Sequence, residues 1–127
     1  MSGDQLSSGS QAAILVVDDD PLIAMTTVDM LEDLGHRACE ASSGQAALEL
    51  LAVDDSIALV ITDQAMPGMS GVELAKLARE RRPGLPVLVA TGYGAAAAQD
   101  PALPRLVKPF LQTDLKRVVE RLLNGAG

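Results

Sequence analysis

At 127 residues, 48% of them apolar, the chain is the length of one domain and can bury a core. A formal charge of −7 disfavours direct contact with nucleic acid or an anionic membrane surface, since both are polyanions. Cys39 is the single cysteine, which excludes an internal disulfide and fits a reducing cytosol, and no apolar run approaches the ~20 residues that span a bilayer. With one Phe, one Tyr and no Trp, the core must be assembled from Leu, Val, Ile, Ala and Met.

Residues 1–11 are rich in Ser and Gly and lack the charged start and apolar centre of a signal peptide, so they read as a flexible leader. Ala13–Val17 (AILVV) is a continuous apolar run, the pattern of a parallel strand covered on both faces. Pro21–Leu34 follows with helical spacing of Leu22, Ile23, Met25, Val28, Leu31 and Leu34, with Pro21 in the first turn and Gly35 at the stop. Arg37–Ala41 is a weak strand. Ser43–Ala52 places Ala47, Leu48 and Leu51 on one helical face, and Ile57–Thr62 (IALVIT) is a second buried strand. Ser70–Arg82 predicts a helix closed by Pro83 and Gly84, with the arginines at its end solvated. Val87–Thr91 (VLVAT) and the short Leu106–Val107 complete the strands, and Gln112–Leu123 is a final helix before a tail at 125–127. The fourth crossover, Thr91 to Lys108, contains Gly92, Gly94, Pro101 and Pro104, which predicts a fourth helix that is short or disordered.

Strands alternating with helices imply an α/β domain with right-handed crossovers and a parallel sheet covered on both faces. Ligands of such a sheet bind beyond the carboxyl ends of its strands. The polar residues at those ends are Asp18, Asp19 and Asp20 after the first strand, Asp63 after the third, Thr91 at the end of the fourth and Lys108 after the fifth. Clustered carboxylates raise one another's pKa unless a cation sits among them, and hard oxygen donors suit Mg²⁺ or Mn²⁺. One carboxylate can then act as a nucleophile toward phosphorus, giving an acyl phosphate. A lysine and a hydroxyl around the equatorial oxygens stabilise that transfer, tasks that fit Lys108 and Thr91.

The strings ILVVDDDPLI, LVITDQAMPGMSGVEL, PVLVATGYG and RLVKPF resemble, in order and spacing, the response-regulator receiver (CheY-like) domain of two-component and phosphorelay systems. The resemblance implies a receiver domain over residues 12–124 with the flavodoxin-like (βα)5 fold, a doubly wound five-stranded parallel sheet in the order 2-1-3-4-5. It implies that Asp63 is the phosphoacceptor, that Asp19 binds Mg²⁺ directly and Asp18 chiefly through water, and that the backbone carbonyl of Ala65 completes the metal ligands. Thr91 would hydrogen-bond the phosphoryl group, Lys108 would pair with it, and Pro109 would follow through a cis peptide bond. The donor would be a histidine kinase or a histidine phosphotransfer protein, met in the cytoplasm by a monomer or weak dimer. Asp20 stands where the family accepts many residues and suits helix capping.

Two departures touch the family's switch, which pairs the residue at Thr91 with an aromatic three places before the lysine. That place holds Arg105, and the crossover after Thr91 is shortened. The string LVATGYG is similar to part of the motif of alphaproteobacterial FATGUY single-domain regulators, and similar short receivers end hybrid histidine kinases. Tyr93 could screen the phosphoryl group or simply pack its loop. His36 follows Gly35 in a turn, unlike a phosphotransfer histidine, and Met25, Met30, Met66 and Met69 read as core or loop filler.

Two other functions compete. A haloacid-dehalogenase-like phosphatase would use Asp18 and Asp20 as a DxD pair, but would leave Asp63 without a role. A receiver that is never phosphorylated would serve only as a docking module, although the loss of an acid, the Thr or the Lys expected of one is absent here.

Overall fold

The computed structural model describes residues 12–92 and 103–124. Five strands, β1 (Ala13–Val17), β2 (Arg37–Ala41), β3 (Ile57–Asp63), β4 (Val87–Thr91) and β5 (Arg105–Val107), form one sheet in the order β2-β1-β3-β4-β5. Every pairing is parallel, and helices α1 (Pro21–Asp33), α2 (Gly44–Val53), α3 (Gly71–Arg81) and α4 (Gln112–Leu123) lie between or after the strands. The expected flavodoxin-like fold is therefore observed. The leader, the 125–127 tail, Tyr93 and the helix expected between Gly92 and Pro104 fall wholly or mostly outside the described residues.

The period of two along a strand divides the core between two faces. Leu15 and Val17 of β1 join Val60, Val87 and Val89 against Leu48 and Leu51 of α2 and Leu74 and Ala78 of α3. Ile14 and Val16 join Leu59, Ile61 and Leu88 on the other face, against Leu31 of α1 and Leu115 and Val119 of α4. Side chains such as Leu59 and Leu88 are fully enclosed, and each such burial stabilises by about 1.5–3 kcal/mol. The two edge strands carry exposed Arg37 and Glu40 on β2 and exposed Arg105 on β5, charges that discourage pairing with another sheet.

Several boundaries and faces differ from expectation for local reasons. Ser43 and Ser70 stand outside α2 and α3 as N-caps, their hydroxyls accepting from Ala46 N–H at 3.0 Å and Glu73 N–H at 3.1 Å. Asp63 is the last residue of β3, level with Ala90 of β4, and Arg105 is the first of β5. In α1 the apolar stripe is narrower than its composition: Leu22 is 68% and Met25 50% exposed, while Ala24, Thr27, Val28 and Leu31 face the sheet. The Met25 side chain is thus not core. Arg82 is not a solvated helix end either, because its guanidinium Nη2 donates to the Ile57 carbonyl at 2.6 Å. Cys39 is half-buried.

Beyond α2, the Asp54 carboxylate accepts from both the N–H (2.9 Å) and the hydroxyl (2.6 Å) of Ser56. The Ser56 hydroxyl, then its N–H, hold this carboxyl below its ordinary pKa. A lowered folded pKa gives stability that is present above the ordinary carboxylate pKa and lost as acid titrates the group in the fold. Asp54→Ala should accordingly lower the melting temperature at neutral pH, and the difference from wild type should narrow in acid. An equal loss at both pH values would contradict this account of the turn.

Candidate functional site

Register brings the expected residues together. Val17 of β1 pairs with Thr62, Asp63 with Ala90, and Thr91 with Val107. Asp18, Asp63, Thr91 and Lys108 therefore emerge within one step of each other along the carboxyl edge. Backbone bonds extend the sheet at this edge, from Asp18 N–H to the Ala41 carbonyl (3.1 Å) and from Lys108 N–H to the Thr91 carbonyl (2.7 Å). The Lys108–Pro109 peptide is cis.

Asp18, Asp63 and Thr91 are buried, whereas Asp19 is exposed at the mouth. A carboxylate oxygen from each of Asp18, Asp19 and Asp63 lies within 4.8 Å of the other two. Lys108 Nζ sits 2.7 Å from Asp63 Oδ1 and 3.8 Å from Asp18 Oδ2. Burial pushes the Asp18 carboxyl above its ordinary pKa. The Asp20 N–H, which donates to Asp18 Oδ1 at 2.9 Å, and Lys108 oppose that rise, while Asp63 and Asp19 add to it. Three clustered carboxylates, with one ammonium against two of them, carry a double negative charge when ionised, which a divalent cation with oxygen preference neutralises. The donor set thus fits Mg²⁺ by charge, chemistry and spacing.

Asp20 does not join the cluster. Its Oδ1 accepts from Leu22 N–H at 3.0 Å and from Ile23 N–H at 3.4 Å, so it caps α1. That engagement weakens the phosphatase reading, which needs Asp20 as the second acid of a DxD pair. Ala65 is exposed in the loop after β3, and Arg105 is exposed at the start of β5, where it pairs with Val89.

The family model for the response regulator receiver domain matches residues 14–120. The chain belongs to the response-regulator receiver family. As a receiver domain it is a signalling module of two-component systems. It is 36% identical over 118 residues to the response regulator receiver protein CpdR of Brucella abortus, covering 89% of this chain and 98% of that protein. Against the response regulator protein FleR of Pseudomonas aeruginosa it is 41% identical over 115 residues, covering 87% of this chain but only 24% of FleR. A receiver domain protein from Clostridium thermocellum superposes with a TM-score of 0.81 at 31% identity, covering 89% of this chain and 94% of that one.

Sequence reasoning missed two residues of this receiver's site region. Gln64, next to Asp63, turns its side chain back to accept from Val72 N–H at 2.9 Å. At Gly71 an added Cβ would lie 2.6 Å from the Asp63 carbonyl oxygen, so only glycine lets α3 begin this close to β3. The Gly71 requirement has no signature beyond the glycine itself, and nothing near Gln64 signals a bond eight residues on.

Proposed function

We propose that this receiver accepts a phosphoryl group on Asp63 from the phosphohistidine of a histidine kinase or histidine phosphotransfer protein. The observation that carries this reading is the placement of Lys108 Nζ 2.7 Å from a buried Asp63 carboxylate that shares its site with two further acids. An oxygen of Asp63 forms the new bond to phosphorus as the P–N bond of phosphohistidine breaks. The imidazole leaves with that bonding pair and takes up a proton. Lys108 and the Thr91 hydroxyl stabilise the charge spread over the equatorial oxygens. Mg²⁺ or Mn²⁺ would be held by Asp19 and Asp63, by Asp18 chiefly through water, and by the Ala65 carbonyl. Bound there, the ion would offset the negative charge on the phosphoryl and Asp63 oxygens.

The domain catalyses only its own phosphorylation and dephosphorylation, and it does so either as a single-domain regulator or as the receiver of a hybrid kinase. An apolar groove of about 370 Å³, lined by Leu22, Ile23, Thr26, Met30, Pro109 and Phe110, opens beside Lys108 and gives a protein partner footing next to the acceptor. Among the described residues no helix is long and apolar enough to cross a membrane. A cytoplasmic setting follows from the proposed phosphohistidine donors, and the acidic charge argues against nucleic acid as partner. In the switch, Thr91 moves toward the phosphoryl group while Arg105 stays solvated, because burying an unpaired guanidinium costs several kcal/mol.

Acetyl phosphate with Mg²⁺ should add a single phosphoryl group, visible in the intact mass, and chelation of the metal should prevent it. Absence of any adduct would favour the docking module. Steady hydrolysis of phosphate esters that survives Asp63→Asn would favour the phosphatase.

A further inference from the structure

The first N–H groups of a helix have no partners within it. In α3 all of them are taken from outside or by the cap. The Ser70 N–H donates to Glu73 Oε1 (2.9 Å) and the Glu73 N–H to Ser70 Oγ (3.1 Å), a closed capping box. The Gly71 N–H donates to the Gln64 main-chain carbonyl (3.1 Å), and the Val72 N–H to Gln64 Oε1 (2.9 Å). Gln64's own N–H donates to the Ala90 carbonyl (3.0 Å), one residue before Thr91. A single residue therefore joins β4, the end of β3 and the start of α3, and closes the loop that contains Ala65.

We propose that Gln64 is a positioning residue for the metal-binding half of the acceptor site. Resting on the reading of Asp63 and Ala65 above, it holds the 64–71 loop in the geometry that presents both to the cation. The Ser70–Glu73 box satisfies only the Ser70 and Glu73 N–H groups, so the Gln64 bonds finish the first turn of α3 and tie it to the loop. An open loop lowers apparent metal affinity in proportion to the fraction of time it is competent. A neutral amide makes this bond without adding a fourth negative charge beside Asp18, Asp19 and Asp63. Gly71 permits the clasp, since an added Cβ there would also crowd Gln64 Oε1 at 3.1 Å.

The test uses the full chain and Mg²⁺ alone. Amide resonances at 18–19 and 63–65 follow the titration, and hydrogen exchange over 65–72 is read without metal. Gln64→Met keeps length but lacks an acceptor; it should raise exchange at Val72 and through the loop and lower Mg²⁺ affinity by about tenfold, the low end for residues that support metal ligands. Gln64→Glu retains the acceptor oxygen and should restore protection at Val72 and through the loop, which is the readout for this variant because its added charge attracts Mg²⁺ by itself. Should Gln64→Met fail to fold, Gln64→Asn, an amide too short to reach Val72, should show the same loss. Unchanged Mg²⁺ affinity in the Met or Asn variant, or a Glu variant whose loop exchanges as fast as theirs, overturns the proposal. A wild-type chain that shows no Mg²⁺ response overturns the metal reading itself and the proposal with it.

Discussion

Asp19→Ala should lower Mg²⁺ affinity by more than about tenfold, at least the cost of losing a supporting residue, because Asp19 is read as a direct ligand. Asp20→Ala should leave Mg²⁺ affinity nearly unchanged. The adjacent acids separate because their carboxylates do different things. Asp19 contributes an oxygen to the cluster with Asp18 and Asp63, whereas Asp20 is spent on the N–H groups of Leu22 and Ile23. Losing that cap should instead cost about 0.5–2 kcal/mol of stability. Titrating Mg²⁺ against both variants and melting both without metal gives a crossed pattern. Equal Mg²⁺ losses would mean that the ligand assignment is wrong.

Lys108→Ala should destabilise the metal-free protein and at the same time tighten Mg²⁺ binding. The ammonium is the cation that Asp63 and Asp18 face, and removing it leaves their charges uncompensated. Breaking a fully buried pair costs about 3–5 kcal/mol, but the Lys108 side chain is 25% exposed, so solvent should reduce this. A loss of about 1–3 kcal/mol is expected on that basis. Each kilocalorie corresponds to about 4–8 °C in melting temperature for a small domain. Mg²⁺ should then recover more stability in the variant than in wild type, since it no longer competes with the ammonium. Phosphorylation should nonetheless slow, because the group that balances the transferred charge is gone. A metal-free melting temperature equal to wild type, or weaker Mg²⁺ binding, would contradict this electrostatic account.

The architecture and the cluster were both legible in the sequence. Runs such as AILVV and IALVIT announce strands buried on two faces, and the parallel register then carries Asp18, Asp63, Thr91 and Lys108 to one edge. What periodicity could not supply was the direction of individual side chains. Leu22 and Met25 have helical spacing, yet α1 needs only Ala24, Thr27, Val28 and Leu31 to cover its face of the sheet. Arg82 reads as one more charge at a helix end, but its guanidinium reaches a carbonyl 25 positions earlier. Gln64 is similar, since an amide beside an acidic residue has no pattern that announces a bond to Val72. The Ser70-x-x-Glu73 box, by contrast, is a spacing that sequence alone displays. Long-range polar contacts of the Gln64 and Arg82 kind depend on how loops close, which apolar spacing does not encode.

The central claim, that Asp63 takes the phosphoryl group beside a divalent cation, is tested most directly by locating that group. Wild type and Asp63→Asn should each be treated with acetyl phosphate, with and without Mg²⁺, and the adduct mapped to a residue. The account predicts one base-labile acyl phosphate on Asp63, formed only with metal, and none on the Asn variant, in which the nucleophilic oxygen is lost. A phosphoryl group that persists in Asp63→Asn, or that maps to Asp18 in wild type, would contradict it.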